Sequence, residues 1–219
     1  MKKIIPSFLT ILNLVCGCLA IALAFQFQFE AVLILVCLGV FFDFLDGLAA
    51  RALDSVTNFG KHLDSITDVI TSGVVPGIIV YQLFKLSGNK VSDFEVYIFG
   101  YDLIFSLSPI SFIAFFITIA SAIRLSKYNT LTRSDEFIGL PTPANAIFFA
   151  SLPVLINSDI LIDSKEIFLN NYFLIGSVIS SVILMNSPFR LFSFKAIFKD
   201  FQSNVYQILL ILISIPILI

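Results

Sequence analysis

Uncharged, mainly apolar runs divide this chain. They cover Ile4–Phe29, Val69–Phe84, Leu103–Ile123, Phe137–Ser158, Ile167–Phe189 and Phe201–Ile219. A further run, from Ala31 to about Arg51, is apolar as far as Phe42 and then meets Asp43 and Asp46. A helix that crosses a bilayer needs about 20 mainly apolar residues, so seven spans are predicted. The last one concentrates its apolar residues in Val205–Ile219 and contains Pro216, which sets it apart as a C-terminal segment. The polar stretches Ser87–Asp102 and Asn157–Glu166 are expected to be loops on one side, and Lys127–Glu136 a loop on the other. No internal repeat, low-complexity tract or long linker interrupts the pattern. Backbone in lipid must satisfy its own hydrogen bonds. The expected fold is therefore all-α: a polytopic membrane helix bundle with six core transmembrane helices in residues 1–200. Residues 201–219 would add a seventh, short or truncated, helix.

Composition agrees with this reading. Of 219 residues, 58% are hydrophobic and 13% charged, with mean hydropathy +1.00. A soluble domain carries about 45–50% apolar and about 25% charged residues. Such a chain could neither cover a soluble globule nor stay disordered. Three cysteines exclude a disulfide scaffold, and a net charge of −2 leaves no basic excess for nucleic acid. Cys16, Cys18 and Cys37 fall inside predicted spans and read as small apolar residues, while the 25 Phe supply core and lipid-facing bulk.

Lys and Arg favour cytoplasmic loops. With the N-terminus inside, ten of the 13 fall on the cytoplasmic side: Lys2, Lys3, Arg51, Lys61, Arg124, Lys127, Arg133, Arg190, Lys195 and Lys199. Lys85, Lys90 and Lys165 fall outside. A cleaved signal peptide is the rival reading of the N-terminus, since Lys2-Lys3 precedes an apolar run and Ala22-Leu23-Ala24 imitates a cleavage site. That run is long for a signal core and is interrupted by Asn13 and Gly17. The expected location is thus the cell (inner) membrane, multi-pass, with the N-terminus cytoplasmic.

Five of the 15 acidic residues lie between Asp43 and Asp68: Asp43, Asp46, Asp54, Asp64 and Asp68. A carboxylate at membrane depth costs about 2.5–3.5 kcal/mol on insertion scales, so something must offset it. With Asp43 at 0° on a helical wheel, Asp46 falls at about 300°, Gly47 at about 40°, Ala50 at about 340° and Arg51 at about 80°. Gly60, Asp64 and Asp68 step by four and share one face of the next helix. Two neighbouring helices therefore present two carboxylates each, joined by a short connection around Ser55–Phe59. Converging carboxylates are a hard oxygen-donor site suited to one or two Mg²⁺ or Mn²⁺ ions. Gly47 and Ala50 leave room either for a ligand or for a packed helix. Arg51 reads as a bidentate phosphate ligand or as an interfacial anchor. Asp54 falls at about 20° on the same wheel, and past the helix end it would be a cap or a partner for Arg51. His62, the sole histidine, reads as a solvated interfacial side chain in preference to a metal ligand.

Read in order, these residues spell Asp-x2-Asp-Gly-x2-Ala-Arg-x8-Gly-x3-Asp-x3-Asp from Asp43 to Asp68. This resembles the signature of the CDP-alcohol phosphatidyltransferases at all eight positions. The resemblance implies a two-metal site that binds a CDP-linked lipid and transfers its phosphatidyl group to an alcohol, releasing CMP. By motif position, Asp43, Asp46, Asp64 and Asp68 would hold two Mg²⁺ or Mn²⁺ ions. Asp68 would also be the general base, and Asp64 is grouped with it as catalytic. Gly47, Ala50, Arg51 and Gly60 would contact the CDP moiety, with Arg51 on the phosphates. The resemblance also implies a homodimer.

Further stretches resemble the phosphatidylserine synthase branch. They are Ala120–Leu125 followed by Tyr128-Asn129, Phe137–Ala144 with its Gly-Leu-Pro-x-Pro-Ala pattern, and Pro6–Cys18 with Asn13-Leu14 and Cys16-Gly17. Together with the signature they span roughly residues 6–146; the remaining residues add only hydropathy. CDP-diacylglycerol and L-serine are thus the implied substrates. Arg124 is the candidate for the serine carboxylate, its alternative role being a positive-inside anchor. Asn129, Thr142 and Asn145 would supply hydrogen bonds or cap a loop and a helix. Pro141 and Pro143 read as structural, ending irregular backbone where a helix begins. Two other readings are open: the same family with glycerol 3-phosphate or inositol phosphate as acceptor, and a cation or proton transporter. A transporter would spread its acids along the bilayer depth on several helices.

Overall fold

The computed structural model describes residues 4–88, 92–98, 101–130, 137–158, 165–188 and 190–191. The predicted segment Phe201–Ile219 and the side chains of Lys2, Lys3, Lys90, Arg133, Lys195 and Lys199 lie outside them.

Helix α1 (Ile4–Phe25) and helix α2 (Phe29–Ala52) form an antiparallel pair joined by a tight turn in which Phe27 takes a positive φ of 59°. Helix α3 runs continuously from Asn58 to Leu86. The sequence pattern divides this region at Val69, but the polar first turns and the apolar last turns belong to one helix. Its ladder widens into a π-helical turn at Ile70–Val74. Pro76 explains the defect, because it has no N–H for the Ser72 carbonyl and its ring crowds that group. The loosened carbonyls find hydroxyls on the next helix: Thr118 Oγ1 donates to Gly73 O at 2.9 Å and Ser121 Oγ to Ser72 O at 3.5 Å.

A short 3₁₀ turn, Pro109–Ala114, leads into α4 (Phe115–Thr130). Two shorter apolar helices follow, α5 (Thr142–Asn157) and, after the one-turn α6 (Lys165–Phe168), α7 (Asn171–Asn186). Among the described residues, four helical stretches are long and apolar enough to cross a membrane: Ile4–Phe25, Phe29–Ala52, Asn58–Leu86 and Pro109–Tyr128. Helices α5 and α7 are 16 residues each, so each is about 24 Å long against a hydrocarbon core of about 30 Å. Pro141 precedes the first turn of α5, and Asn170 caps α7 by accepting from Tyr172 N at 2.8 Å.

The helical architecture is as expected, with two short strand pairings added to it. Strands β1 (Ser92–Ile98) and β2 (Tyr101–Leu107) pair antiparallel, with Phe94 opposite Phe105 and Ile98 opposite Tyr101. This hairpin replaces the expected loop over Ser87–Asp102 and the first residues of the expected span Leu103–Ile123. Its signal was a period of two, in which Asp93 and Glu95 alternate with Phe94 and Val96; the second strand breaks it at Ile104, between Asp102 and Ser106. A second antiparallel contact, β3 (Phe137–Ile138) with β4 (Arg190–Leu191), ties the segment before α5 to the segment after α7.

The core sits around the last turns of α3, where every residue from Val75 to Phe84 is buried. Val32 and Val36 of α2, Ile117 of α4, Phe149 of α5 and Leu174 of α7 pack there. The outer surface is apolar: Phe8, Ile11, Val15 and Leu19 form an exposed stripe on α1, and Phe41, Phe44 and Leu48 one on α2. Such stripes fit a lipid surround. Close helix crossings use small residues. A Cβ on Gly39 would lie 2.8 Å from Thr71 Cγ2 and 2.9 Å from Asn13 Oδ1, and one on Gly77 would lie 2.6 Å from Thr118 Oγ1.

Candidate active site

The C-terminal end of α2 meets the N-terminal end of α3 through a connection of five residues, Leu53–Thr57. Helix α2 closes in a Schellman arrangement. Ser55 N donates to Ala50 O at 2.9 Å and Asp54 N to Arg51 O at 3.2 Å, with Asp54 in the left-handed region at φ 48°. Asp54 is therefore the residue that terminates the helix, which accounts for the extra carboxylate in the motif. Thr57 then caps α3, its hydroxyl accepting from Gly60 N at 3.0 Å. Both helix ends are thus set by local chemistry, and the acidic faces of α2 and α3 are turned towards each other.

Asp43, Asp64 and Asp68 converge, each bringing one carboxylate oxygen within 4.8 Å of the others. Asp43 lies within hydrogen-bonding reach of both partners. The donor set is three hard oxygens, and Asp64 Oδ1 is buried without any hydrogen-bond partner. A buried carboxylate oxygen without a partner carries the full cost of its desolvation. An oxygen-coordinated divalent cation would remove that cost, so these residues fit Mg²⁺ or Mn²⁺. Asp46 is held differently. It is 5% exposed, and Thr10 of α1 donates to its Oδ2 at 2.6 Å.

Beside the carboxylates lies a cavity of about 260 Å³. Its lining includes Asp46, Gly47, Ala50 and Arg51 of α2, Thr57 of the connection, and Gly60, Lys61 and Asp64 of α3. Arg51 is anchored by its Nε, which donates to Gly47 O at 2.9 Å. The cavity lining carries both signs of charge, the carboxylates of Asp46 and Asp64 together with the cations Arg51 and Lys61. Glycine space settles the ambiguity about small residues. A Cβ on Gly47 would meet only Arg51 Nη2, at 3.9 Å, and one on Gly60 only Thr57 Oγ1, at 3.1 Å. Neither glycine admits a neighbouring helix; both open onto the cavity.

All eight motif residues thus fall in one place, as cavity wall or carboxylate cluster on α2 and α3, with Asp46 and Asp68 also reached from α1. Residues the motif does not contain complete the wall: Pro6, Ser7 and Thr10 of α1, Ser55, Val56 and Thr57 of the connection, and Lys61. Their signal was faint. Pro6, Thr10 and Asn13 recur at helical spacing in an otherwise apolar run, and Thr57 stands three residues ahead of Gly60. His62 is exposed, belongs to no carboxylate group and lines a separate groove with Ile66 and Leu125.

The acceptor candidates are elsewhere. Arg124 is 6% exposed, with its guanidinium 4.7 Å from the ring of Tyr128, and its Nε has no hydrogen-bond partner among the described residues. That burial does not suit an interfacial anchor. Arg124 lines a second cavity of about 240 Å³ with Lys127, Tyr128, Asn186 and Ser187. Asn129 lies in the last turn of α4, its side chain outside the described residues. Thr142 and Asn145 are buried at the start of α5, where Ser181 Oγ donates to Asn145 Oδ1 at 2.7 Å. Neither lines the acidic cavity. Gly139, at φ 72°, lies so close to the Met185 carbonyl that no side chain fits, which fixes the entry to α5 against the end of α7.

Comparison with known proteins bears on the family. The sequence profile of the family described as CDP-alcohol phosphatidyltransferase matches residues 3–183. A CDP-diacylglycerol–serine O-phosphatidyltransferase of Bacillus subtilis is 31% identical over 140 residues, covering 64% of this chain and 69% of that protein. One of Methanocaldococcus jannaschii is 34% identical over 160 residues, covering 72% and 65% respectively. An archaetidylserine synthase of Methanothermobacter thermautotrophicus is 33% identical over 150 residues, covering 67% and 56%. The match thus spans between 56% and 69% of the length of these relatives.

Proposed function

The chain belongs to the CDP-alcohol phosphatidyltransferase family, and we propose that it transfers the phosphatidyl group of CDP-diacylglycerol to the hydroxyl of L-serine, giving phosphatidylserine and CMP. The observation that carries this reading is the cluster of Asp43, Asp64 and Asp68 beside a cavity lined by Asp46, Asp64, Arg51 and Lys61. A CDP-linked lipid asks for both signs of charge at once. Asp43, Asp64 and Asp68, with Asp46, would hold the cations, and Arg51, Lys61 and the first turn of α3 would hold the diphosphate. Gly47, Ala50 and Gly60 leave the space in which the nucleotide lies against the helix backbone. Two bound Mg²⁺ or Mn²⁺ ions would neutralise the diphosphate and orient the leaving group. Asp68 accepts the serine hydroxyl proton as the oxygen bonds to the phosphatidyl phosphorus and the bond to CMP breaks. Arg124 binds the serine carboxylate, with Asn129 and Thr142 as further contacts. The printed names of the relatives support serine as acceptor.

The proposed setting is the cytoplasmic face of the inner membrane, in a multi-pass homodimer; the bias of Lys and Arg along the sequence supports the orientation. A transporter would need acids along the depth of several helices, whereas these cluster at one end of two. The test is CMP release from membranes supplied with CDP-diacylglycerol and serine, glycerol 3-phosphate or inositol phosphate in turn. Serine alone is expected to support high turnover. Equal or greater turnover with glycerol 3-phosphate would refute the serine assignment.

A further inference from the structure

Helix α1 contributes none of the motif residues, yet it reaches two of the aspartates. Thr10 is 3% exposed, and its Oγ1 lies 2.6 Å from Asp46 Oδ2 and 3.0 Å from Pro6 O. A hydroxyl has one hydrogen to give, and the shorter contact is to the stronger, carboxylate acceptor. One turn further on, Asn13 is 1% exposed and its Nδ2 points to Asp68 Oδ1 at 3.5 Å. The other end of that amide, Oδ1, is buried close to Gly39 and has no hydrogen-bond partner among the described residues. The Asn13 main-chain carbonyl accepts from Thr71 Oγ1 at 3.3 Å, in the π-helical turn that begins two residues after Asp68. Asp46 belongs to α2 and Asp68 to α3, so a single uncharged helix face ties one carboxylate of each acidic helix.

We propose that Thr10 and Asn13 are positioning residues for the metal-binding aspartates: Thr10 orients Asp46 and Asn13 orients Asp68. A neutral donor suits this task, because it fixes a carboxylate without neutralising it, leaving its charge for a cation. Groups that orient metal ligands in this way are worth about 10–100-fold in metal affinity. The proposal rests on the metal-dependent reading above, and its test separates the two.

Mn²⁺ binding to the purified full chain, measured by electron paramagnetic resonance without substrate, is the direct readout. Thr10→Val keeps the shape and removes the hydroxyl; Thr10→Ser keeps the hydroxyl. The Val variant is expected to bind Mn²⁺ about 10–100-fold more weakly, with the Ser variant close to the wild type and Asn13→Ala weakened like Val. The KM for serine is expected to stay constant while the Mn²⁺ concentration for half-maximal activity rises. Thr118→Val, which removes an interhelical hydroxyl bond of similar length to Gly73 O, serves as the control and should leave Mn²⁺ affinity unchanged. Wild-type affinity in Thr10→Val, equal losses in the Val and Ser variants, or an equal loss in Thr118→Val would overturn the proposal. Absence of Mn²⁺ binding by the wild type would instead overturn the metal-dependent reading beneath it.

Discussion

Two glycines on the same helix make opposite demands, and substituting each with alanine separates binding from folding. Gly47 and Gly39 both lie inside α2. In a helix interior alanine is preferred to glycine by about 1 kcal/mol. At Gly47 the added methyl meets only Arg51 Nη2 at 3.9 Å, an ordinary contact. The helix gain should therefore appear in full, raising the thermal midpoint by about 2–4 °C for a chain of this size. The same methyl projects into the cavity of about 260 Å³, where it competes with the nucleotide. Overpacking costs about 1–3 kcal/mol, so KM for CDP-diacylglycerol is expected to rise about 5–150-fold. At Gly39 the methyl would press on Thr71 Cγ2 at 2.8 Å and Asn13 Oδ1 at 2.9 Å. There the packing cost exceeds the helix gain, and the midpoint should fall. The assay is thermal unfolding in detergent beside steady-state CMP release for both variants. A Gly47→Ala protein that is stabilised and keeps the wild-type KM would refute the assignment of this glycine to ligand space. A Gly47→Ala protein as unstable as Gly39→Ala would refute the distinction between the two sites.

Three more substitutions test other parts of the account. Asp64→Asn should reduce turnover by more than the roughly 100-fold typical of groups that only support a metal ligand. In chelator it should also raise the thermal midpoint by about 2–4 °C, because it relieves repulsion among three close carboxylates. Arg124→Gln removes a charged donor worth about 1.5–3 kcal/mol. It should raise KM for serine about 10–150-fold in CMP-release kinetics, leaving KM for CDP-diacylglycerol unchanged. Gly139→Ala meets both a left-handed backbone costing about 1–2 kcal/mol and the Met185 carbonyl. Its midpoint should drop by at least about 4 °C in the same unfolding assay.

The apolar runs and the acidic motif were legible from the residues alone because each rests on a strong local signal. Long uncharged stretches mark helices in lipid, and Asp43 to Asp68 repeat at helical spacing on two faces. The hairpin Ser92–Leu107 was missed because Leu103–Leu107 also continues an apolar run, so length and composition outweighed a period of two. The join at Val69 was hidden for a related reason. Charge stops there but the helix does not, and only Pro76 and the small residues after Ile70 hint at a π-helical turn. Thr10 and Asn13 sit at helical spacing, yet which carboxylate each would meet depends on how α1 crosses α2 and α3. That is set by Gly39 and Thr71, far away in the chain. Arg124 was singled out, but its burial beneath Tyr128 and the end of α7 depends on long-range packing.

The measurement that bears most directly on the central claim is an experimental structure of the chain with Mn²⁺ and CDP-diacylglycerol. Anomalous density is expected between α2 and α3, within coordination distance of Asp43, Asp64 and Asp68, with the diphosphate against Arg51 and the first turn of α3. Manganese density elsewhere, or nucleotide bound away from Gly47 and Gly60, would contradict it.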